Sequence, residues 1–313
     1  MYDLIILGAG PAGLTAGIYA SRASLNVLII EKGIEGGQIA NTVDVENYPG
    51  IKNVSGMELG MTMREQAEEF GCEFAMDEVV SVELEGETKK IVGKFGEYES
   101  KTVIIAAGAS PRPMGAKGEE KFSGRGVSYC ATCDAAFYQD LEVYVVGGGN
   151  SAVEEALFIT RFAKKVHIIH RRDKLRATEA VQQKAFANEK IDFIWDSTIE
   201  EVKGEKMVNE IVLKNLKTGE VTNIKPSEPF GLFVFIGYEP QTEIFKDQIE
   251  LENGYIKADD DMKTNIEGVF VAGDIRVKNV RQVVTAAADG AIAALSADRY
   301  IDEKEGTLYE GLK

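Results

Sequence analysis

Cys130-Ala-Thr-Cys133 places two thiols three positions apart in the chain. Such a pair closes a small disulfide without long-range folding, and a dithiol that opens and closes easily stores two electrons. Two other chemistries compete for the pattern. Zinc needs two further soft ligands, and outside the pair the chain offers only Cys72, His167 and His170, with no second Cys-x-x-Cys. A static structural disulfide gains little, because a two-residue loop scarcely constrains the unfolded chain and nothing indicates an oxidising compartment. The redox-active reading is therefore taken, and no metal site is expected. Asp134 is expected to cap a helix starting at Ala135, whose N-terminus would bring partial positive charge to Cys133 and raise its thiolate fraction. Cys72 has no partner spaced to match and reads as a buried small hydrophobe.

A two-electron store needs a donor held beside it, and two glycine-rich turns supply candidates. Asp3 to Leu7 is an apolar strand. Gly8-Ala9-Gly10-Pro11-Ala12-Gly13 then turns into a helix over Leu14 to Arg22, a second strand runs from Asn26 to Ile30, and Glu31 ends it. Gly8 permits the turn, Gly10 admits a pyrophosphate to the helix N-terminus, Gly13 allows close helix–strand packing, and Glu31 is placed to accept from ribose hydroxyls. The plan recurs downstream, with a buried strand over Leu141 to Val146 followed by Gly147-Gly148-Gly149-Asn150-Ser151-Ala152. Placing Gly147 on Gly8 puts Gly149 on Gly10, Ala152 on Gly13 and His170 on Glu31. Where the first copy has an acid, the second has Arg171, Arg172 and, a turn later, Arg176. Arginines there accommodate a 2′-phosphate, so the second site is read as one for NADPH.

Composition bounds the rest. A chain of 313 residues suggests two domains, each able to bury a core. The 32 glycines exceed the usual share, as expected where backbone approaches phosphate repeatedly. A net charge of −16 argues against nucleic acid or an anionic membrane as partner. No signal-peptide pattern is visible and no apolar run reaches the length of a membrane span, so a cytoplasmic location is expected.

The remaining segments read as follows. GIEGGQIANTVDVENYPG is a polar loop, Ser55 to Phe70 a helix, and Glu73 to Tyr98 a small antiparallel sheet inserted into the parallel one. Lys101 to Ala106 is a buried strand, and prolines 111 and 113 suggest a connection leaving the first domain. Ile191 to Ile224 repeats the pattern of short strands, and Gly231 to Gly237 is another buried strand. Gly268 to Asp274 is a strand ending in Gly-Asp, followed by a helix over Val280 to Ile301. That last strand and helix have no domain of their own to build. The expected fold is therefore α/β, with two Rossmann-like dinucleotide-binding domains carrying inserted antiparallel sheets and the second inserted into the first. The first domain spans 1–113 and 244–313, and the second 114–243.

Hydride from a nicotinamide does not pass readily to a disulfide, whereas a flavin accepts hydride and hands two electrons to sulfur, so the first site should hold FAD. The route is NADPH to FAD to Cys130/Cys133 to an external acceptor, and it is expected to need alternating domain orientations. At this point the chain resembles the low-molecular-weight thioredoxin reductases over nearly its whole length. The resemblance is carried by GAGPAG, Gly36-Gly37-Gln38, ENYPG, CATCD, GGGNSAVEEA, HRRDKLRA and the run from Gly273 to Ala287. It implies that Cys133 faces the flavin, that Cys130 attacks the partner disulfide, and that Asp134 assists proton transfer. It further implies FAD contacts from Glu31, Lys32, Gly36, Gly37, Gln38, Asn47, Gly273, Asp274, Arg281, Gln282 and Val283, a homodimer, and thioredoxin or a thioredoxin-like protein as partner. Ala107 stands where the family commonly has threonine, and Ala152 where a third glycine could be. A ferredoxin-dependent flavin thioredoxin reductase would lack the arginines of the NADPH site. A flavin-binding redox sensor without reductase activity is the non-enzymatic alternative.

Overall fold

The structure is a computed structural model that describes residues 1–42 and 45–307. Val43 and Asp44, within the expected polar loop, lie outside the described residues, as does the stretch 308–313 assigned above to the first domain. The chain divides into two compact units, Met1–Ser110 with Glu239–Lys313, and Pro111–Tyr238.

Unit 1 begins with β1 (Tyr2–Leu7), α1 (Pro11–Arg22) and β2 (Val27–Glu31). Strand β1 buries Leu4, Ile5 and Ile6 completely, and β2 does the same for Val27 and Ile29, as strands covered on both faces require. Helix α1 takes Pro11 at its first turn, where a missing amide costs nothing. Ser55 caps α2 (Gly56–Glu69), its hydroxyl accepting from Glu58 N at 3.1 Å. β3 (Glu73–Met76) follows and pairs parallel with β2. Hairpin β4 (Val79–Glu83) and β5 (Lys89–Gly93) leads antiparallel into β6 (Glu97–Ile105).

Two expectations are corrected here. Glu73–Met76 is an edge strand of the parallel sheet and no part of an antiparallel insertion, and residues 97–105 form one strand where two were expected. β6 is long enough to serve both patterns: its first part, from Glu97 to Ser100, pairs antiparallel with β5 and its second, from Ser100 to Ile105, pairs parallel with β1, so the hairpin extends the main sheet in the order β3-β2-β1-β6-β5-β4. β7 (Ala109–Pro111) then leaves the unit.

Unit 2 contains β8 (Val127–Ser128), α3 (Ala131–Asp134), β9 (Glu142–Val146), α4 (Asn150–Ile159), β10 (Lys165–Ile169), α5 (Glu179–Phe186) and β11 (Ile191–Ile194). An antiparallel set follows, β12 (Ser197–Gly204), β13 (Val208–Asn215) and β14 (Val221–Ile224), and then β15 (Phe230–Val234). The parallel sheet runs β11-β10-β9-β15-β8, so residues 191–194 again belong to the parallel layer while β12-β13-β14 form a separate sheet. Both corrections have one cause: a short strand whose other neighbours lie far off in sequence carries no local mark of its pairing direction.

The chain returns through β16 (Tyr238–Pro240), which pairs with β7 in a two-stranded ribbon. The small hairpin β17 (Leu251–Glu252) and β18 (Tyr255–Ile256) precedes β19 (Val269–Val271) and α6 (Val283–Glu305). β19 pairs parallel with the second half of β6, from Val269 against Val103 to Val271 against Ile105, so the last strand completes the first sheet and the second unit is an insertion. Helix α6 starts at Val283, later than expected, because Gln282 and Thr285 form a reciprocal capping box. It lies on α1 through small residues. A Cβ at Gly290 would stand 2.1 Å from Ala12 O, and Ala286, Ala293, Ala294 and Ala297 are buried along the same seam.

Candidate functional site

The first glycine turn, at the C-terminal end of β1, is built by close backbone approach. Gly8 has φ +109°, and a Cβ at Gly13 would sit 1.9 Å from Gly8 O, so helix and turn meet where no side chain fits. Gly10 has nothing within 4 Å of its would-be Cβ, which leaves open space over the N-terminus of α1, where Pro11, Ala12 and Gly13 form the first turn. Glu31 holds the rim. Its Oε2 accepts from Ala9 N at 2.8 Å and its Oε1 from Gly33 N at 2.9 Å, so this carboxylate organises the turn itself. Lys32 is exposed beside it. The segment 36–38 folds back onto the same opening: Gly36 N donates to Ala9 O at 2.8 Å, and a Cβ at Gly37 would come within 3.1 Å of Gly10 Cα. Gln38 donates to Ser110 Oγ at 3.3 Å.

The C-terminal part of unit 1 supplies the other wall. Gly273, with φ +81°, packs so closely that its would-be Cβ lies 2.9 Å from the Ala12 methyl. Asp274 follows, with a buried Oδ1 that has no hydrogen-bond partner among the described residues. Burial pushes its carboxyl up, against the pull of Lys278 and Arg281. Asn47 donates to Gln282 Oε1 at 3.1 Å, joining the ENYPG loop to the start of α6 beside Val283, and the Arg281 guanidinium lies 4.5 Å over the Tyr255 ring. An open helix N-terminus walled by glycine backbone, with a buried carboxylate oxygen left to pair, fits a dinucleotide such as FAD.

Three residues essential to this wall were missed in the sequence. Asp289, 5 % exposed within α6, accepts Gly273 N at 3.0 Å, Arg276 at 2.8 and 2.9 Å, and Lys278 Nζ at 2.8 Å. One carboxylate therefore ties down the whole 273–278 turn. Those donors hold its carboxyl below the ordinary range despite burial. The available signal was an acid on the same helical face as Ala286, Gly290, Ala293 and Ala297.

The second turn repeats the geometry in unit 2. Gly147 has φ +151°, and Gly149 caps α4 with open space before it, ahead of Asn150 and Ser151. His170 directly follows β10 but does not face solvent: it is 5 % exposed and packs beneath Gly148, whose would-be Cβ lies 2.3 Å from its Nδ1. Its buried Nε2 has no hydrogen-bond partner among the described residues, and burial together with the neighbouring arginines lowers its pKa, which favours the neutral ring. The basic loop folds over this turn. Arg176 N donates to Gly148 O at 2.6 Å and Thr178 N to Asn150 Oδ1 at 2.7 Å. The side chains of Arg171, Arg172 and Arg176 are exposed, and none makes an ion pair among the described residues. Exposed, unneutralised guanidinium groups beside a glycine-capped helix N-terminus fit a nucleotide with an additional phosphate.

Cys130 and Cys133 are joined as a disulfide with Cα atoms 5.3 Å apart. The expected cap is corrected: the helical turn starts at Ala131 with Cys130 at its N-cap, and Asp134 closes it without capping the following 3-10 turn, Ala135–Tyr138. A helical turn brings positions i and i+3 together, which is the separation the disulfide needs, so the turn forms around the pair and not after it. Both cysteines and Asp134 are half-buried. Tyr138 packs edge-on to Phe233, and burial with the nearby Asp134 charge pushes its phenol up to about 12. Cys72 is buried and free, its sulfur 3.1 Å from Ser21 Oγ.

Comparison with known proteins adds to this geometry. The model of the family described as pyridine nucleotide-disulphide oxidoreductase matches residues 2–290. The chain is 55 % identical to a thioredoxin reductase of Peptoclostridium acidaminophilum, over 96 % of this chain and 98 % of the relative. It is 50 % identical to that of Bacillus subtilis strain 168, over 98 % and 97 %. The crystal structure of thioredoxin reductase from Streptococcus pyogenes MGAS5005 superposes with a TM-score of 0.92 at 48 % identity, covering 97 % of this chain and 99 % of that one.

Proposed function

The chain belongs to the pyridine nucleotide-disulphide oxidoreductases, and from that membership we propose that it reduces the disulfide of thioredoxin or a thioredoxin-like protein with electrons from NADPH, using FAD. The observation that carries the reading is the half-buried Cys130–Cys133 disulfide, closed within one helical turn in a chain that also presents two dinucleotide-type turns.

Unit 1 holds FAD. The backbone of Gly8 to Gly13 and Gly36–Gly37 receives the pyrophosphate, and Asp274 Oδ1 accepts a hydrogen bond from the group it binds. Held by these residues, FAD would supply the hydride acceptance and two-electron delivery to sulfur that a nicotinamide alone does not. Unit 2 holds NADPH: Gly147, Gly149, Asn150 and Ser151 border the helix N-terminus, His170 supplies a neutral ring from below, and Arg171, Arg172 and Arg176 receive the 2′-phosphate and set the preference over NADH.

Reduction of the disulfide consumes two electrons and two protons and yields two thiols. The Cys130 thiolate attacks one sulfur of the partner disulfide, forming a mixed disulfide and releasing the other sulfur as a thiolate. Cys133 then attacks Cys130, which closes the intramolecular disulfide and frees the reduced partner. Asp134, beside Cys133 in sequence, holds the proton exchanged with these sulfurs. Alternating orientations of the two units and assembly as a homodimer belong to the same proposal, as does a cytoplasmic location. Among the described residues no helix is long and apolar enough to cross a membrane.

The test uses Cys133→Ser. The variant should purify yellow with FAD retained, accept electrons from NADPH in anaerobic titration, and lose thioredoxin reduction by at least about a thousandfold, as expected when a nucleophile is removed. Thioredoxin reduction at the parental rate would refute the route. Flavin bleaching by reduced ferredoxin and not by NADPH would refute the donor.

A further inference from the structure

The peptide unit between Tyr129 and Cys130 is gripped from several sides. Tyr238 donates its phenol to Tyr129 O at 3.0 Å, and Cys130 N donates to Ser128 Oγ at 3.1 Å. Both atoms lie in one rigid amide plane, so its orientation, and with it the direction in which Cys130 leaves the backbone, is set by these two bonds. The Tyr129 side chain adds a third restraint: its phenol donates to Glu119 Oε1 at 2.7 Å. Glu119 is 4 % exposed and also accepts Met114 N and Gly115 N, each at 2.9 Å.

These partners have one thing in common. Met114 and Gly115 lie just inside the point where the chain enters unit 2 at Pro111, and Tyr238 is the residue at which it leaves. The exit segment is thus bonded directly to Tyr129, the residue that precedes the disulfide, and the entry segment is linked to it through Glu119. The phenol stays a donor throughout, since burial and the Glu119 carboxylate push its pKa well above the usual tyrosine range.

We propose that Tyr129 is a positioning residue for Cys130: through Glu119 and Tyr238 it ties both chain crossings of unit 2 to the backbone of the redox pair and holds the two sulfurs at closing distance. This rests on the reductase reading above. A restraint of this kind raises the effective concentration of one thiol toward the other and so favours the disulfide, and it also presents Cys130 in a fixed direction to the partner.

The experiment compares the holoenzyme with Tyr129→Phe, Tyr238→Phe and the double variant. Each single change removes one hydroxyl and keeps the ring. Three quantities are read: the disulfide–dithiol equilibrium in dithiothreitol buffers, followed by thiol labelling; thioredoxin reduction; and NADPH-driven reduction of ferricyanide, which draws on the flavin and not on the dithiol. In each single variant the equilibrium should move about fivefold toward the dithiol and kcat for thioredoxin should fall about five- to tenfold, as for one lost hydrogen bond, with ferricyanide reduction unchanged. Because both hydroxyls act on one residue, the double variant should fall well short of the product of the singles. An unmoved equilibrium, equal losses in both activities, or fully multiplicative effects would overturn the proposal. Should Tyr238→Phe not fold, Tyr129→Phe and Glu119→Gln read the same equilibrium. If the parent itself fails to reduce thioredoxin, the reductase reading falls, while the dithiothreitol equilibrium still decides the role of Tyr129.

Discussion

Replacing Asp289 by asparagine keeps the size of the side chain and removes its charge. In the parent this carboxylate neutralises Arg276 and Lys278, whose side chains are 18 % and 7 % exposed, while accepting Gly273 N. An asparagine oxygen can still accept from the Gly273 amide, but it leaves two cations in a low-dielectric wall, and breaking a buried pair in this way costs about 3–5 kcal/mol. The lower end is expected, because Asp274 stands close enough for Lys278 to act on its carboxyl. A loss of about 3 kcal/mol corresponds to roughly 6–12 °C in Tm for a unit of this size. The pH dependence separates charge from shape. The Asp289 carboxyl is held below its ordinary value, so its contribution is present above about 3.8 and is lost as pH falls through the folded-state pKa. Asp274 is raised, so its contribution has the opposite sense, present below about 3.8 and lost as pH rises through its folded value. The Tm difference between parent and variant should therefore shrink below about pH 4. Thermal unfolding across pH 3 to 8, with flavin fluorescence reporting FAD release, measures both. A Tm within about 2 °C of the parent at pH 7 with unchanged FAD retention would refute the assignment of Asp289 as the anchor of the 273–278 turn.

The glycines of the first turn should separate folding from binding. Gly13→Ala drives a methyl into Gly8 O and should lose soluble protein or at least about 4 kcal/mol of stability, whereas Gly10→Ala meets nothing and should keep its stability within about 1 kcal/mol of the parent while losing flavin, read as absorbance at 450 nm per protein. Equal behaviour of the two variants would contradict this geometry. Replacing Arg171, Arg172 and Arg176 together by alanine should raise KM for NADPH by about two orders of magnitude and leave that for NADH nearly unchanged, and KM for NADPH in the parent should rise with salt. Parallel changes for both nucleotides would remove these arginines from the 2′-phosphate.

What could be read from the amino-acid order was whatever depends on near neighbours. The two glycine turns, the strand before each, the arginine loop and the dithiol all declare themselves within about thirty residues, and each turn sits at the end of its strand as required. Glu31 ends β2 as its place in the motif requires, but its bonds to Ala9 N and Gly33 N are local backbone accounting that a motif does not display. Pairings decided at a distance were not legible. Neither the parallel placement of Glu73–Met76 nor the double use of β6 leaves a trace in periodicity. Asp289 was hidden because its partners are 11 to 16 residues away on a different element. The cap at Asp134 was misplaced because helix signals were read without the closure that the disulfide itself imposes.

The seam between α1 and α6 joins residues separated by nearly the entire chain, Ala12 on one side and Gly290 on the other. During synthesis the first unit therefore waits for the ribosome to finish. Its leading strands emerge with an apolar helix face exposed, while Pro111–Tyr238, contiguous in sequence, can collapse at once. The flavin-type turn becomes complete only when the last helix docks, so any fragment ending before Val283 should be both colourless and prone to aggregate. Genetic truncation at the C-terminus is thus expected to abolish a site that begins at residue 8.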